Sequence, residues 1–392
     1  MNKRAAVGVF VLAMMWGGAE RSEAISAYAN RYDVACHFCH DGYPKLNAMG
    51  QRFKERGFRM ANEEPFDFER WIRTVPLAVR ASGTRFFVED GDGSTFGFIK
   101  GISAGNLGPR LAYWVDDGVS IHEEDSDGDH FTHNKPDNAW ARLELVTGGK
   151  LYVRGGRMEL DLPFTQTRTP HLFPYEIYFA NAGFETDNIA DYHHGVEVGG
   201  DLPGDAHWSA AVVAGRNPAG QEDIDEDAAK FDGNLFLRVA KRKDAHRFGA
   251  FAYIGRNTLV QSPQIVWDDN LVRVGVDLSV WVQRLNLYGV GMWGRNDNPI
   301  ATAARPNGTN ESRSFDGGFL QADWHLRDTF ALTARLNVVQ RPEGASAEKQ
   351  DFVSVYPGFQ LWVRERFKLS FESGFQNRDR GGVGQVQAEL VL

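Results

Sequence analysis

The chain has 392 residues, a formal net charge of -9 and only two cysteines. The acidic balance predicts no nucleic-acid partner, because nucleic acids are held through clusters of Lys and Arg. Beyond the N-terminus no window reaches the roughly 20 apolar residues of a membrane-spanning helix, which excludes a protein built from such helices.

Residues 1–24 have the pattern of a secretory signal peptide. Lys3 and Arg4 precede the apolar run AAVGVFVLAMMW, and Ala24 ends a small-x-small cleavage pattern. A retained anchor helix is the alternative, but the apolar run is shorter than a membrane span requires. We therefore expect the mature chain to be exported.

The two cysteines belong to the sequence Cys36-His37-Phe38-Cys39-His40. A disulfide between them would close a very small loop with little entropic benefit. A thioredoxin-like pair is expected beside a βαβ pattern, which does not follow here, and a zinc site would need two more good ligands. Cys-x-x-Cys-His is the c-type haem attachment motif. We expect one covalent haem c on Cys36 and Cys39, with His40 as the proximal iron ligand.

We assign residues 25–70 to a small monohaem cytochrome c segment, which is too short to build a core without the haem. Its helix is expected to begin near Pro44, a favourable first-turn residue, and to end at Gly57. One face of this helix carries the apolar residues Leu46, Met49 and Phe53.

The sixth position of the haem iron has three nearby candidates, Met60, Met49 and His37. Met49 follows His40 on a helix that rises only about 1.5 Å per residue, which leaves little chain to pass round the haem edge. Met60 has more reach and is our candidate distal ligand. Apolar packing of either methionine against the porphyrin is an equally good interpretation.

Residues 71–392 show period-two alternation up to the C-terminus and predict an all-β domain. In TFALTARLNVV, the apolar Leu332 and Leu336 alternate with the polar Thr333 and Arg335. Segments of about ten residues with this pattern are typical of tilted strands that cross a bilayer, with apolar residues outward and polar residues inward. We place roughly 16 strands, near 74–90, 94–105, 110–121, 138–147, 150–158, 192–202, 206–216, 231–242, 245–257, 270–281, 284–295, 313–326, 329–340, 350–364, 367–376 and 383–392.

The joins between these strands alternate in length. TGGK, LPGDA, KRKDA, VQR, LRDT and RER are short, whereas the long joins are 122–137, 159–191, 217–230, 258–269, 296–312 and 341–349. Short periplasmic turns and long external loops are typical of outer-membrane barrels, and a soluble β-sandwich or propeller, the alternative, does not predict them. We therefore expect a porin-like β-barrel among the lipids of a Gram-negative outer membrane, with both termini in the periplasm.

The charge of the chain is unevenly placed along the sequence. The external segments DDGVSIHEEDSDGDHFTHNKPD and EDIDED are acidic, while the periplasmic turns KRKDAHR and RER are basic. An acidic outer rim raises the local concentration of cations. A metal site is one interpretation of the first segment and plain solvation is the commoner one. The residues that could form such a site are Asp125, Asp127, Asp129, His130 and His133.

The segment ISAYANRYDVACHFCHDGYPKLNAMGQRFKERGF resembles the start of the fused outer-membrane cytochrome-porins of iron-oxidising bacteria. In that family Cys-x-x-Cys-His is followed by Pro-x-Leu-Asn and Gly-x-x-Phe-Lys, and VRGGRMELDLPF and HGVEVGGDLP are similar to its barrel segments. The resemblance implies that Cys36 and Cys39 anchor the haem and that His40 is its proximal ligand. It also implies electron transfer from ferrous iron outside to a periplasmic carrier such as a soluble cytochrome c, in the manner of an iron(II) oxidase.

One haem can serve both sides of a hydrocarbon core about 30 Å thick only if it sits inside the barrel. We therefore expect the cytochrome segment to plug the lumen. Inward arginines such as Arg142, Arg238 and Arg335 would then balance haem propionates or, equally well, line a pore for anions. Two functions stay open: electron transfer from iron(II) or another reduced donor, and a diffusion porin with an accessory haem-binding segment.

Overall fold

The computed structural model describes most of the β-domain and part of the N-terminal region. The described residues are 28, 32, 34–42, 44–60, 77–88, 95–123, 137–165, 171–180, 189–214, 233–262, 265–299, 308–309, 311–342, 349–363, 367–377 and 382–391. The expected signal peptide, the candidate metal residues at 125–133 and the EDIDED loop lie outside them.

The β-domain contains sixteen strands, each close to its predicted position. They are β1 (Leu77–Val88), β2 (Thr95–Asn106), β3 (Leu111–Glu123), β4 (Asn138–Val146), β5 (Leu151–Glu159), β6 (Tyr192–Leu202), β7 (Ala206–Ala214), β8 (Gly233–Lys243), β9 (His246–Ser262), β10 (Ile265–Val282), β11 (Leu285–Asn296), β12 (Arg313–Arg327), β13 (Phe330–Pro342), β14 (Lys349–Val363), β15 (Phe367–Gln376) and β16 (Val383–Val391).

The strands form one closed antiparallel barrel. Each strand pairs with its neighbours in sequence, and β16 returns to pair with β1 from Arg80 opposite Val391 to Val88 opposite Val383. Closure satisfies the backbone of both terminal strands and leaves no unpaired edge. The expected all-β barrel of roughly 16 strands is therefore confirmed.

The alternation of each strand sorts its side chains between the outer face and the lumen. In β13, Leu332 and Leu336 are 40% and 42% exposed, whereas Arg335 is 1% exposed and Asn337 is fully buried. Successive side chains of a strand point to opposite faces. The alternation of polar and apolar residues therefore places apolar groups outside and polar groups inside. An outer face of this kind suits a bilayer, as the sequence predicted.

The joins define two ends of the barrel. The short-turn end carries the joins 107–110, 147–150, 203–205, 244–245, 283–284, 328–329 and 364–366, and the long-loop end carries the others. The predicted long join 258–269 was wrong. Residues 258–262 extend β9 and residues 265–269 extend β10. Backbone pairing from Thr258 opposite Asp268 continues there, and the Thr258 hydroxyl donates to Asp268 at 3.0 Å.

Helices α1 (Ala48–Glu55) and α2 (Glu176–Phe179) belong to the described residues that are not part of the barrel wall. Helix α1 begins later than Pro44 predicted, because the Asn47 side chain accepts a hydrogen bond from Gly50 N at 2.9 Å and caps the helix. Its end agrees with the prediction, since Gly57 has the left-handed φ of 63° that helix ends favour. None of the described helices is long and apolar enough to cross a membrane.

Candidate functional site

The Cys-x-x-Cys-His sequence forms a compact turn, which we call the attachment turn (residues 36–40). Residues Cys36–Phe38 make one turn of 3-10 helix, and Phe38 N donates to Ala35 O at 3.0 Å. His40 then forms an antiparallel bridge with Leu46. The chain therefore doubles back directly after His40, which brings the attachment turn against the start of helix α1.

The donor groups of the attachment turn fit covalent haem. Cys39 is half-buried and forms no disulfide, and burial raises the pKa of its thiol. Burial also lowers the pKa of His40 to about 4, although hydrogen bonds with the backbone of Pro44 and Lys45 oppose this. The imidazole is thus neutral near pH 7, which is the form that binds a metal. Haem attachment to Cys36 and Cys39 stays a prediction, which the described side chains of Cys39 and His40 fit.

The N-terminal segment (residues 36–60) is fixed to one wall of the barrel through Lys45. Its ammonium group donates to Asn286 Oδ1 on β11 and Asp323 Oδ2 on β12, each at 2.7 Å, and lies 4.0 Å from the ring centre of Tyr288. Lys45 is 8% exposed. A buried ammonium needs such partners, so these contacts form one anchor, which we call the Lys45 anchor.

A second group of contacts, the helix-end anchor (residues 55–59), joins the segment to another wall. Arg59 pairs with Glu144 on β4 at 3.0 Å and donates to Leu111 O at 3.2 Å. The Glu55 carboxylate accepts from Arg242 on β8, and the Phe58 ring lies 5.4 and 5.9 Å from the rings of Trp114 and Trp140. Arg142 donates to the Glu55 carbonyl. Ionic, aromatic and backbone contacts therefore act together.

The two anchors place the segment across the short-turn end of the barrel. Asp323 on β12 and Glu144 on β4 belong to strands that are eight apart in either direction round the barrel. Both residues lie close to the turns 328–329 and 147–150 in sequence. The described part of the segment thus crosses from one side of the lumen to the opposite side, and its role as a plug stays a prediction.

The described parts of the join between β5 and β6, which we call the lumen loop (residues 160–165, 171–180 and 189–191), also lie inside the barrel. His171 Nδ1 lies 2.8 Å from Glu372 Oε1 on β15, and His171 Nε2 lies 2.7 Å from the Tyr288 hydroxyl on β11. The Phe173 carbonyl accepts from Arg335 at 2.8 Å. Its buried aromatic residues pack on the inner wall, where Tyr175 stacks on Phe319, Phe173 on Tyr356 and Phe164 against Tyr288.

One carboxylate links the lumen loop to the N-terminal segment. Asp323 Oδ2 accepts from Lys45, while its Oδ1 lies 3.4 Å from His171 Nε2. All three side chains are at most 10% exposed. Both elements contact the same buried carboxylate of Asp323. Displacement of either element therefore leaves this carboxylate with one partner fewer and disturbs its contact with the other element.

The structure gives the three predicted lumen arginines partners within the protein. Arg142 donates to carbonyls of helix α1, Arg238 pairs with Asp277 at 3.0 Å, and Arg335 holds the lumen loop. These contacts give the arginines counter-groups other than the haem propionates or pore anions that the sequence suggested equally. Because Arg238 Nε also lies 3.6 Å from Asp161 Oδ2 of the lumen loop, each of the three arginines contacts the contents of the lumen.

Met60, the predicted distal ligand, packs beside the aromatic cluster of the helix-end anchor. That cluster joins Phe58 of the N-terminal segment to Trp140 on β4 and Met158 on β5. Gly42, two residues after His40, instead lies against Trp362 on β14. The described contacts therefore do not bring Met60 to the attachment turn, and its role as a ligand stays a prediction. Met49 lies within α1, and His37 is exposed.

A group of possible metal ligands, Glu55, Asp201 and His207, was missed by the sequence analysis because its members are far apart in sequence. Asp201 Oδ1 lies 2.9 Å from His207 Nδ1, and Arg242 donates to Glu55. The Arg242 guanidinium pairs with Glu55 and lies 4.0 Å from Asp201, so the cluster joins helix α1 to β6, β7 and β8 as an ion-pair network.

The comparisons with known proteins agree with this architecture. No protein-family model matches the chain, and no curated protein sequence matches it significantly. Solved structures do match. OmpF of Salmonella typhi in complex with daunomycin has a TM-score of 0.57 and 11% identity, and the match covers 81% of this chain and 97% of that one.

Two further structures give similar values. An anion-selective porin from Comamonas acidovorans has a TM-score of 0.57 and 11% identity, over 81% of this chain and 99% of that one. A loop L8 deletion mutant of OmpT, an outer-membrane protein of Vibrio cholerae, has a TM-score of 0.54 and 13% identity over 81% and 99%. The chain therefore has the closed sixteen-stranded barrel fold of outer-membrane porins.

Proposed function

We propose that the chain is an outer-membrane electron-transfer protein that carries electrons from an extracellular donor, iron(II), to a periplasmic carrier. One haem c on Cys36 and Cys39, with His40 as iron ligand, would supply the one-electron chemistry. The observation that carries the proposal is the position of the attachment turn. It belongs to a segment that crosses the short-turn end of a porin barrel and is anchored to opposite walls.

The residues of this chain have separate tasks in the proposal. Cys36 and Cys39 bind the haem covalently, and His40 gives the iron a nitrogen ligand. Lys45 and the helix-end anchor hold the segment in the barrel, so the haem-bearing turn keeps a fixed place relative to the lumen. The sixth iron ligand is left open, because Met60 packs with the helix-end anchor, on the wall opposite the Lys45 anchor.

The position of the turn restricts the donor. In outer-membrane barrels the short turns face the periplasm, so the attachment turn would lie at the periplasmic mouth. An electron donor from outside must then travel down the lumen, and a small cation such as iron(II) meets that requirement. The acidic external loops of the sequence would raise its concentration at the entrance.

The first test is covalent haem in protein exported by cells with a working haem-attachment system. The mature protein should stain for haem after denaturing electrophoresis, and its reduced spectrum should show two thioether bonds. Cys39→Ser should lose one of these bonds and most of the stain. Unstained wild-type protein would contradict the proposal.

The second candidate function is a diffusion porin whose haem segment is accessory. The likeness to OmpF and to an anion-selective porin favours it, and so do the many charged residues of the lumen. Solute flux through the full-length protein, at a rate equal to that of a barrel without the N-terminal segment, would support this function. A blocked full-length barrel would support electron transfer.

A further inference from the structure

Asn47 binds the attachment turn with both its backbone and its side chain. Its backbone N donates to Cys39 O at 2.9 Å, and its Nδ2 donates to His37 O at 3.2 Å and Phe38 O at 3.1 Å. Its Oδ1 accepts from Gly50 N at 2.9 Å and caps helix α1. One residue thus joins three carbonyls of the turn to the first turn of the helix.

The side-chain amide of asparagine suits this combination of contacts, because its Oδ1 accepts hydrogen bonds and its Nδ2 donates them. Asp, Ser and Thr also cap helices, but a carboxylate accepts hydrogen bonds and donates none. An Asp at position 47 would keep the cap and direct an anion at the carbonyls of His37 and Phe38. The amide of Asn47 therefore donates two hydrogen bonds that a helix cap alone does not require.

Gly50 supports the same turn from the other side. A Cβ atom at Gly50 would overlap Cys39 O, so this helix residue must be glycine for the carbonyl to approach so closely. Cys39 O consequently lies between the backbone of Asn47 and the helix. The position of Cys39, and of His40 directly after it, is set from two sides.

We infer that Asn47 is a positioning residue for the haem iron, because it fixes the turn from which Cys39 and His40 project. The inference rests on the proposed function and adds a residue to it. Haem attachment needs both thiols and the imidazole in one arrangement, and Asn47 holds the backbone that carries them. A loosened turn gives incomplete attachment and a less defined bond between His40 and iron.

The test compares Asn47→Asp and Asn47→Ala with Gln51→Ala, a control on the same helix whose side chain makes no hydrogen bond in the described part of the chain. Haem per folded barrel, the midpoint potential and the absorption bands of the iron are measured in full-length protein. Heat-modifiable gel mobility checks that each barrel is folded, since Asn47 lies outside the barrel wall.

Both Asn47 variants should carry less haem than the wild type, and the haem that remains should have a shifted midpoint potential and altered bands. Gln51→Ala should match the wild type. Wild-type potential and haem content in Asn47→Asp would reduce Asn47 to a helix cap and overturn the inference while leaving the proposed function intact. Wild-type protein without haem would overturn both.

Discussion

The two anchors of the N-terminal segment differ in their construction. The Lys45 anchor depends on one buried ammonium group and its contacts with Asn286 and Asp323. The helix-end anchor combines two salt bridges, an aromatic stack and several hydrogen bonds to the backbone. At one end the polar contacts with the wall thus depend on a single side chain, whereas the other end has redundant contacts.

This difference has an energetic consequence. Removal of one partner from a buried ion pair leaves an unpaired charge and typically costs about 3 to 5 kcal/mol. Loss of one contact among several that share a surface costs less, because the neighbours still exclude water and keep their own bonds. The Lys45 anchor is therefore the sensitive end of the segment, and it is also the end that touches the lumen loop through Asp323.

The largest effect should follow removal of both anchors. Deletion of residues 25–65 leaves all sixteen strands in place, so the barrel should still close while the short-turn end loses its plug. We expect a clear rise in single-channel conductance in planar bilayers. Gel mobility before and after boiling controls for folding, and equal conductance with and without the segment would place the segment outside the lumen.

Loss of the Lys45 anchor alone should have the next largest effect. Lys45→Met keeps most of the side-chain volume and leaves Asp323 with His171 as a remaining partner. We expect the barrel channel to open frequently, to conductances that approach that of the deletion variant. Lys150→Met is the matched control, because Lys150 is exposed in a turn at the same end of the barrel.

The same experiment can test the link to the lumen loop. If Asp323 supports both elements, the effects of Lys45→Met and His171→Gln on opening should be non-additive in the double variant. Additive effects would show that the N-terminal segment and the lumen loop move independently.

A single change in the helix-end anchor should have a smaller effect. Arg59→Met removes the pair with Glu144, but Arg142 still lies 3.5 Å from that carboxylate, and Phe58 keeps its aromatic contacts. We expect a cost of about 1.5 to 3 kcal/mol in docking of the segment, as for hydrogen bonds to charged groups. Protease sensitivity of residues 44–60 measures it, and greater sensitivity than in Lys45→Met would reverse our ranking of the anchors.

The smallest effect concerns the backbone that leads into the helix-end anchor. Gly57 has a φ of 63°, and an added Cβ would lie 3.3 Å from the Cβ of Ala112. Gly57→Ala should therefore weaken docking by about 1 kcal/mol, the usual strain of a left-handed residue with a side chain. The same protease assay should detect a slight increase in cleavage, and unchanged cleavage would mean that the turn relaxes without cost.

The barrel and the attachment motif were accessible to sequence reasoning because their signals are local. Leu332 and Arg335 reveal the two faces of β13 within a few residues, and Cys36, Cys39 and His40 are a continuous motif. The predicted end of β9 came too early, because the sequence of a short turn between two strands resembles that of part of a longer loop. Charged residues in that stretch, such as Asp268, concealed its pairing with Thr258.

The contacts that anchor the segment could not be predicted. Lys45 and Asp323 are 278 residues apart, and nothing in the neighbourhood of either residue identifies the other. The alternation shows that Asp323 faces the lumen, but it does not show what fills the lumen. His171 gives no signal at all, because the lumen loop has no periodic pattern from which an inward fold could be inferred.

We propose that a haem at the short-turn end receives electrons from a donor that enters at the long-loop end. This electron transfer is tested most directly in sealed vesicles that contain the full-length protein, with the orientation measured by protease cleavage of the long loops. Iron(II) is added outside, and reduction of the haem is followed by absorbance. We predict reduction in the molecules whose long loops face outward and none in His40→Ala. Absence of haem, or reduction only of molecules whose short turns face the added iron(II), would contradict the account.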